Sequence, residues 1–320
     1  MGLSQQFTEV AGHGDGAVAR GIGHQFDDQI IYELVCAPKG GPEAIDVSNK
    51  TDLTPESWGP AGKPGAVSFT FDNMGEAAEL ELGLWPQGHA IGNHYSARQV
   101  TPALLERMRG FRATFFVEGW NAEIYPDTLR AIAAAGHDVG LHGWRHETWA
   151  KQDAATQRSI VERGVKAFRE IGISPRGFRP PGGAGTPLLT QIVRSHGMSF
   201  VSDLGDTTEV ADGVARLPFA WLGVDGVFLE PALGASLGVR GAADASLEGL
   251  IRHHKAQMLV AKERGEHVVF VFHPFLLGKN PLHVAALFEL VEFARTEGNL
   301  WIAPLSDVAD WVRHHKTSQA

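Results

Sequence analysis

The chain has 320 residues, a formal net charge of −9 and a hydrophobic content of 43%. The length admits one large domain or two smaller ones, and the apolar share is enough for a full core, so disorder is not the expected state. The acidic balance argues against a nucleic-acid or anionic-membrane partner. A single cysteine, Cys36, rules out an intrachain disulfide.

No apolar run approaches a membrane span. The opening MGLSQQFTEVAGHGDG is polar and glycine-rich, without a basic segment leading into an apolar stretch of signal-peptide length. The expectation is a soluble, cytoplasmic protein. A homo-oligomer is left open by the sequence.

Residues 1–64 are rich in Gly, Pro and Asp, with one strand-like piece, QIIYELVC. They read as an N-terminal extension packed on a main domain of residues 65–320. From Ala66 onward strand and helix signals alternate. AVSFTF (66–71) is a buried strand ended by Asp72. Thr101-Pro102 is a good helix start and Gly110 a good stop. RATFFV is the next strand, YPDTLRAIAAAG a helix, and DVGL a strand leading into HGWRH. A long helix follows through AATQRSIVERGVKAFREIG, then GFRPPGG as a short strand into a rigid turn. TPLLTQIVRSHG is a helix, MSFVSD a strand, residues 245–264 a helix and HVVFVF a strand. PLHVAALFELVEFARTEG, LWIA and LSDVADWVRHH complete the alternation as helix, strand and helix. This pattern predicts an α/β fold with a parallel sheet, and its length favours a closed barrel over an open sheet.

Chemistry-bearing residues fall at the C-terminal ends of three strands, where α/β barrels keep their active sites. His142 and His146 lie four apart, a spacing that can serve one ion. In a chain with 15 histidines such a pair also arises by chance as two polar loop residues. Asp72 could simply cap the turn after its strand. Arg179, stiffened by Pro180 and Pro181, could form a bidentate pair with that carboxylate and keep it ionised. His273 ends HVVFVF before Pro274, where a lone histidine is often structural but could serve as a general acid. GHAIGNH (88–94) imitates a metal-histidine segment. Position +4 from His94 is Arg98, however, and the segment reads as an inserted loop.

With these motifs in order, residues 66–313 resemble the polysaccharide deacetylase family, also called NodB-homology or carbohydrate esterase 4. FTFD (69–72), RATFF with GHDVGLHGWRH, FRPPGG, SFVSDLGD (199–206) and VFVFHP match its successive motifs. The resemblance implies a distorted, often incomplete (β/α) barrel and divalent-metal-assisted hydrolysis of an amide or N-acetyl bond. It implies His142 and His146 as metal ligands, Asp72 as general base, Arg179 as its orienting partner and His273 as the acid toward the leaving amine. Zinc is the ion it suggests first. HPFLLGKNP and LWIAPLSDVADW look like the allantoinase-like and cyclic-imide-hydrolase branch, which implies a small substrate in preference to a polymer.

The chain departs from the family at one place. A second, metal-binding aspartate is expected one or two residues after the base, and Asn73 and Met74 stand there. Asn73 could ligate through its amide oxygen, or Asp72 could be the ligand with water or Glu76 as base. Glu76, Asp203 and Asp206 are further candidates for the site. The readings are three: a metal-dependent deacetylase or amidase acting on a small-molecule or saccharide substrate, a metal-free cyclic-amide hydrolase, and a silent ligand-binding barrel.

Overall fold

In the computed structural model, residues 57–236, 239 and 244–317 are described, together with two short strands near the N-terminus, β1 (Gln25–Phe26) and β2 (Gln29–Ile30), which pair antiparallel. Of the expected 1–64 extension, residues 57–64 are described and the rest, apart from β1 and β2, lies outside the described residues. No helix among those described is long and apolar enough to cross a membrane.

The core strand is β3 (Ala66–Asp72), buried at all seven positions, as expected of a strand covered on both faces. Its buried hydroxyls are satisfied: Ser68 Oγ donates to the Ala303 carbonyl at 2.8 Å and Thr70 Oγ1 to the Phe270 carbonyl at 2.8 Å. After it come β4 (Thr114–Val117), β5 (Asp138–Leu141), β6 (Gly177–Phe178), β7 (Phe200–Val201), β8 (Glu209–Ala211), β9 (Val214–Arg216), β10 (His267–Phe272) and β11 (Trp301–Ile302). The sheet order is β10-β3-β4-β5-β6-β7-β9-β8, parallel except at β8–β9. On its second side β3 pairs with β11 at Ala66 and Val67, and with β4 from Thr70 onward. That divided edge wedges the sheet into a curl.

The barrel is incomplete. β6 and β7 are two residues each, and β8–β9 is an antiparallel hairpin at the edge, so among the described residues no further parallel strand reaches β10. The gap is spanned by residues 217–229, where Val224 makes a single parallel bridge to Val271 of β10. The closed barrel favoured by length is thus a curled nine-stranded half-barrel. Several elements were not legible in the sequence: the β8–β9 hairpin and the short helices Ala77–Glu81, Asp225–Leu229, Pro231–Ser236 and Pro274–Lys279.

Helices cover the outer face. Ala154–Glu170 is capped by Asp153, which accepts from Thr156 N at 2.8 Å. Mid-helix Gly164 lets Leu141 approach so closely that an added Cβ would lie 2.5 Å from its Cδ1. Leu247–Arg264 is capped by Ser246 and stopped by Gly265 in the left-handed region. The helix expected at Thr101-Pro102 is entered earlier, through a wider turn at Ser96–Val100, and Thr101 Oγ1 bonds back to the Ser96 carbonyl instead of capping. At the N-terminal end of the strands Trp58 is buried and donates its indole N–H to the Gly265 carbonyl at 2.7 Å. Trp311 donates likewise to the Ser57 carbonyl at 3.2 Å.

Candidate active site

Asp72, His142, Arg179 and His273 stand at or just past the C-terminal ends of β3, β5, β6 and β10. Arg179 is the keystone. It is fully buried, and Nη1 donates to Asp72 Oδ1 at 2.7 Å and Thr70 Oγ1 at 2.8 Å, while Nη2 donates to Ser202 Oγ at 2.9 Å. Its guanidinium packs between the rings of Phe116 (4.2 Å) and Phe219 (4.8 Å). The guanidinium pairs with the nearly buried Asp72 carboxylate and aims it.

His142 follows β5 directly. Its Nδ1 can only donate to the Arg179 carbonyl, at 2.8 Å, because a carbonyl oxygen is an acceptor. The lone pair is thereby fixed on Nε2, which lies 3.9 Å from Asp72 Oδ2. The His146 ring is 5.0 Å from that of His142. Burial pushes the pKa of both rings down to about 3, so both are neutral, the form that binds a metal. The connecting turn is tightly built: Glu147 accepts from Trp144 N at 2.9 Å and Arg145 N at 3.1 Å, and Gly143 has φ +74°. His146 (φ +79°) and Asn73 (φ +59°) are two of four described non-glycine residues in the left-handed region. Such conformations persist where surrounding structure enforces them, typically at functional sites.

His273 is clamped by a residue that sequence reasoning missed. Asp225 Oδ1 accepts from ring Nδ1 at 2.6 Å, and Oδ2 accepts from the His273 backbone N–H at 2.8 Å. Burial opposes the protonated ring, but the Asp225 charge and hydrogen bond outweigh it, with help from Asp72, and the His273 pKa is raised. A usable signal existed: Asp225 sits in the apolar stretch WLGVDGVF, and an acid buried there requires a partner.

Three further candidates are placed elsewhere. Asp203 is held by Arg216 through two hydrogen bonds, at 2.8 and 2.9 Å. Asp206 is exposed and accepts from Thr207. Glu76 is buried, but its carboxylate is used by the Tyr125 hydroxyl and by Gly92 N–H at 2.5 Å, anchoring the inserted loop to the main domain. Each of these three carboxylates has a structural partner or faces solvent. In the loop that imitates a metal segment, His94 bonds Ser96 Oγ at 2.7 Å and faces Glu79 at 3.4 Å.

No three His, Cys, Asp or Glu side chains among the described residues form a metal cluster. The donors here are two neutral imidazoles and an amide, because Asn73 stands where a carboxylate would. They fit a divalent ion on two observations: His142 keeps Nε2 free, and Asn73 Oδ1 is buried without a hydrogen-bond partner.

Residues 60–201 match the family model for polysaccharide deacetylase. The fold and the arrangement of acid, arginine and histidines are those of a NodB-type (β/α) half-barrel, and over residues 60–201 the chain is similar to the polysaccharide deacetylases. It is 36% identical over 102 residues to chitin deacetylase 1 of Saccharomyces cerevisiae, covering 32% of this chain and 34% of that protein. A crystal structure from Mycobacterium smegmatis, assigned as a polysaccharide deacetylase, superposes with a TM-score of 0.69 at 29% identity, covering 83% of this chain and 96% of that one. The allantoinase PuuE shares the fold, with a TM-score of 0.64 at 19% identity, covering 86% of this chain and 97% of its own. The matches span a third to a half of the length of the first curated relatives.

Proposed function

We propose that the chain is a hydrolase of a non-peptide C–N bond, an amide or N-acetyl group, acting on a small substrate inside the cell. The observation that carries this is the pairing of two oppositely prepared groups in one buried site: Asp72, ion-paired to Arg179, and His273, its proton held by Asp225. Such a division suits general base and general acid roles. Asp72 takes a proton from the attacking water. His273 presents a proton to the departing nitrogen, which otherwise leaves as a poor anion. Arg179 keeps Asp72 fixed while charge moves.

His142, His146 and Asn73 would hold a divalent cation, zinc being the first to test. When bound, such an ion supplies Lewis acidity toward the carbonyl and lowers the pKa of attached water. Burial supports the preference for a small substrate. Asp72, Asn73, His142, His146 and His273 are each no more than 7% exposed. A polymer strand would need these groups on an open groove.

A second reading, metal-free hydrolysis of a cyclic amide, is favoured by the neutral Asn73 and by the lack of a three-residue His/Cys/Asp/Glu cluster among the described residues. Assaying N-acetyl sugars and cyclic imides, with zinc added or chelated, separates the two. Chelator-sensitive turnover supports the first reading and chelator-resistant turnover the second. Failure on the whole panel, with wild type and Asp72→Asn indistinguishable, overturns both in favour of a silent binding barrel.

A further inference from the structure

The inserted loop ahead of the helix Thr101–Arg107 carries a hydrogen-bonded series that the mechanism above does not use: Glu79, His94 and Ser96, all buried. A backbone donor fixes its polarity. The Ser96 N–H donates to His94 Nδ1 at 3.2 Å, so Nδ1 is an acceptor and the ring proton sits on Nε2, which faces Glu79 Oε1 at 3.4 Å. The Ser96 hydroxyl therefore donates to Nδ1 as well, at 2.7 Å. Its oxygen is left as an acceptor, and it takes the Gly75 N–H at 3.0 Å.

Gly75 belongs to the turn that follows Asp72. Asn73 and Gly75 both have positive φ, +59° and +76°. The main domain holds this turn at two points. Asn121 Nδ2 donates to the Met74 carbonyl, and the Tyr125 ring packs so closely that an added Cβ on Gly75 would lie 2.7 Å from it. Ser96 supplies a third hold, from the inserted loop.

The residue before Ser96 reaches the other half of the site. The Tyr95 ring stacks on His94 at 4.7 Å between centroids, and its hydroxyl donates to the Phe275 carbonyl at 2.8 Å. Phe275 lies in the first turn of the helix Pro274–Lys279, whose N-cap is His273. The same ring sits against Gly278 of that helix, where an added Cβ would lie 2.8 Å from Tyr95 Cε2. β3 and β10 pair as far as Phe71 and Phe272, and the next residues are Asp72 and His273. Past them the two segments part, one into the turn and the other into the helix. Tyr95 and Ser96, adjacent in sequence, grip one each.

We propose that Tyr95 and Ser96 are positioning residues for the hydrolysis, a strap that fixes the distance between Asp72 and His273 through the backbone that follows each. The proposal rests on the amide-hydrolase reading. The attacking water and the departing nitrogen share one carbonyl carbon, so the groups that serve them must be held at one separation. A strap tied at both ends holds that separation, and a cut at either end releases it. Glu79 and His94 keep the Ser96 oxygen in its accepting role.

The test compares wild type, Tyr95→Phe, Ser96→Ala and the double variant. Hydrolysis is followed on N-acetylglucosamine and succinimide, or on whichever amide of the panel wild type turns over. kcat and KM are measured separately, and folding is checked by urea unfolding. Each single variant is expected to lose about 10²-fold in kcat, the scale of a misplacement of about 1 Å, with KM little changed. The double variant should lose no more than the worse single one, because either cut frees the same distance, whereas independent structural defects multiply. Unaltered kcat in either single variant, losses confined to KM, or losses that multiply in the double variant overturn the strap. If Ser96→Ala fails to fold, Tyr95→Phe, which keeps the ring against Gly278, decides by its kcat and KM alone. A wild type that hydrolyses no amide of the panel overturns instead the reading on which the proposal rests.

Discussion

Asp225 holds His273 at two points, ring Nδ1 at 2.6 Å and backbone N–H at 2.8 Å, from a segment 48 residues away in sequence. One carboxylate thus sets the ring's tautomer, its orientation and its basicity. Asp225→Asn keeps the shape but removes the charge. The His273 pKa should fall, so the protonated acid is lost at lower pH and the basic limb of the kcat/KM profile moves to lower pH. Turnover at neutral pH should drop by about 10²–10⁴-fold, the usual worth of a general acid. A pH–rate profile unchanged from wild type would remove Asp225 from this role.

Metal retention and catalysis should separate between two histidines. His142→Ala is expected to lose both bound zinc and activity, because it deletes the Nε2 lone pair fixed beside Asp72. His273→Ala is expected to retain zinc and lose turnover. Equilibrium dialysis with the purified variants measures this. Equal metal loss in both would make His273 a ligand.

Asn73→Asp should make the fold metal-dependent. Asn73 Oδ1 is buried and unpartnered, and a carboxylate there would sit beside Asp72 without a cation of its own. Without metal the variant should lose about 1–3 kcal/mol of stability relative to wild type. Zinc should restore it and bind more tightly than to wild type, while turnover stays equal or falls. Thermal unfolding with and without zinc reads both effects. Unaltered zinc affinity would show that position 73 points away from the ion.

Arg179→Met should be among the most costly single changes in the chain. It strands the nearly buried Asp72 carboxylate and empties the space between Phe116 and Phe219. Removing one partner of a buried pair costs about 3–5 kcal/mol. Urea unfolding measures the loss. A change under about 1 kcal/mol would mean that water enters and replaces the guanidinium.

Acid sensitivity should originate partly outside the site. His254 is buried against Phe270, and His137 accepts a hydrogen bond from Ala113 N at 3.1 Å, a role closed to it once Nδ1 is protonated. Burial lowers their pKa values, to about 3 and about 4. The unfolded chain, with histidines near 6.5, binds more protons below that value. Stability is therefore complete above pH 6.5 and declines as the pH falls toward 4, by up to about 1.4 kcal/mol per pH unit for each ring. His254→Phe should flatten the dependence of urea midpoint on pH between 6.5 and 4.5. An unchanged slope would exclude His254 as a contributor.

What the sequence revealed was the local part. Apolar runs marked β3, β4, β5 and β10, and residues at their ends inherit a common location because parallel strands share a direction. Asp72, His142 and His273 were legible for that reason, and Arg179 through its flanking prolines. For Asp225 only the need for a partner was legible, from its place in an apolar stretch; the identity of that partner depends on a bridge between Val224 and Val271 that no periodicity encodes. Asp203 and Asp206 drew attention by motif position, yet Arg216, arriving on the β8–β9 hairpin, takes up the first and solvent the second. Glu76 looked available because Tyr125, its partner, lies 49 residues further along the chain.

The lone Val224–Val271 bridge has a mechanical consequence. It is the stitch across the open side of the curl, and Asp225 and His273 are the residues next along the chain from Val224 and just past the end of β10. Opening of that seam would draw the Asp225 carboxylate from the His273 imidazole. The acid's readiness to give its proton thereby becomes a gauge of whether the half-barrel is shut. A ligand wedged into the seam would silence the proposed hydrolysis by parting the Asp225–His273 dyad.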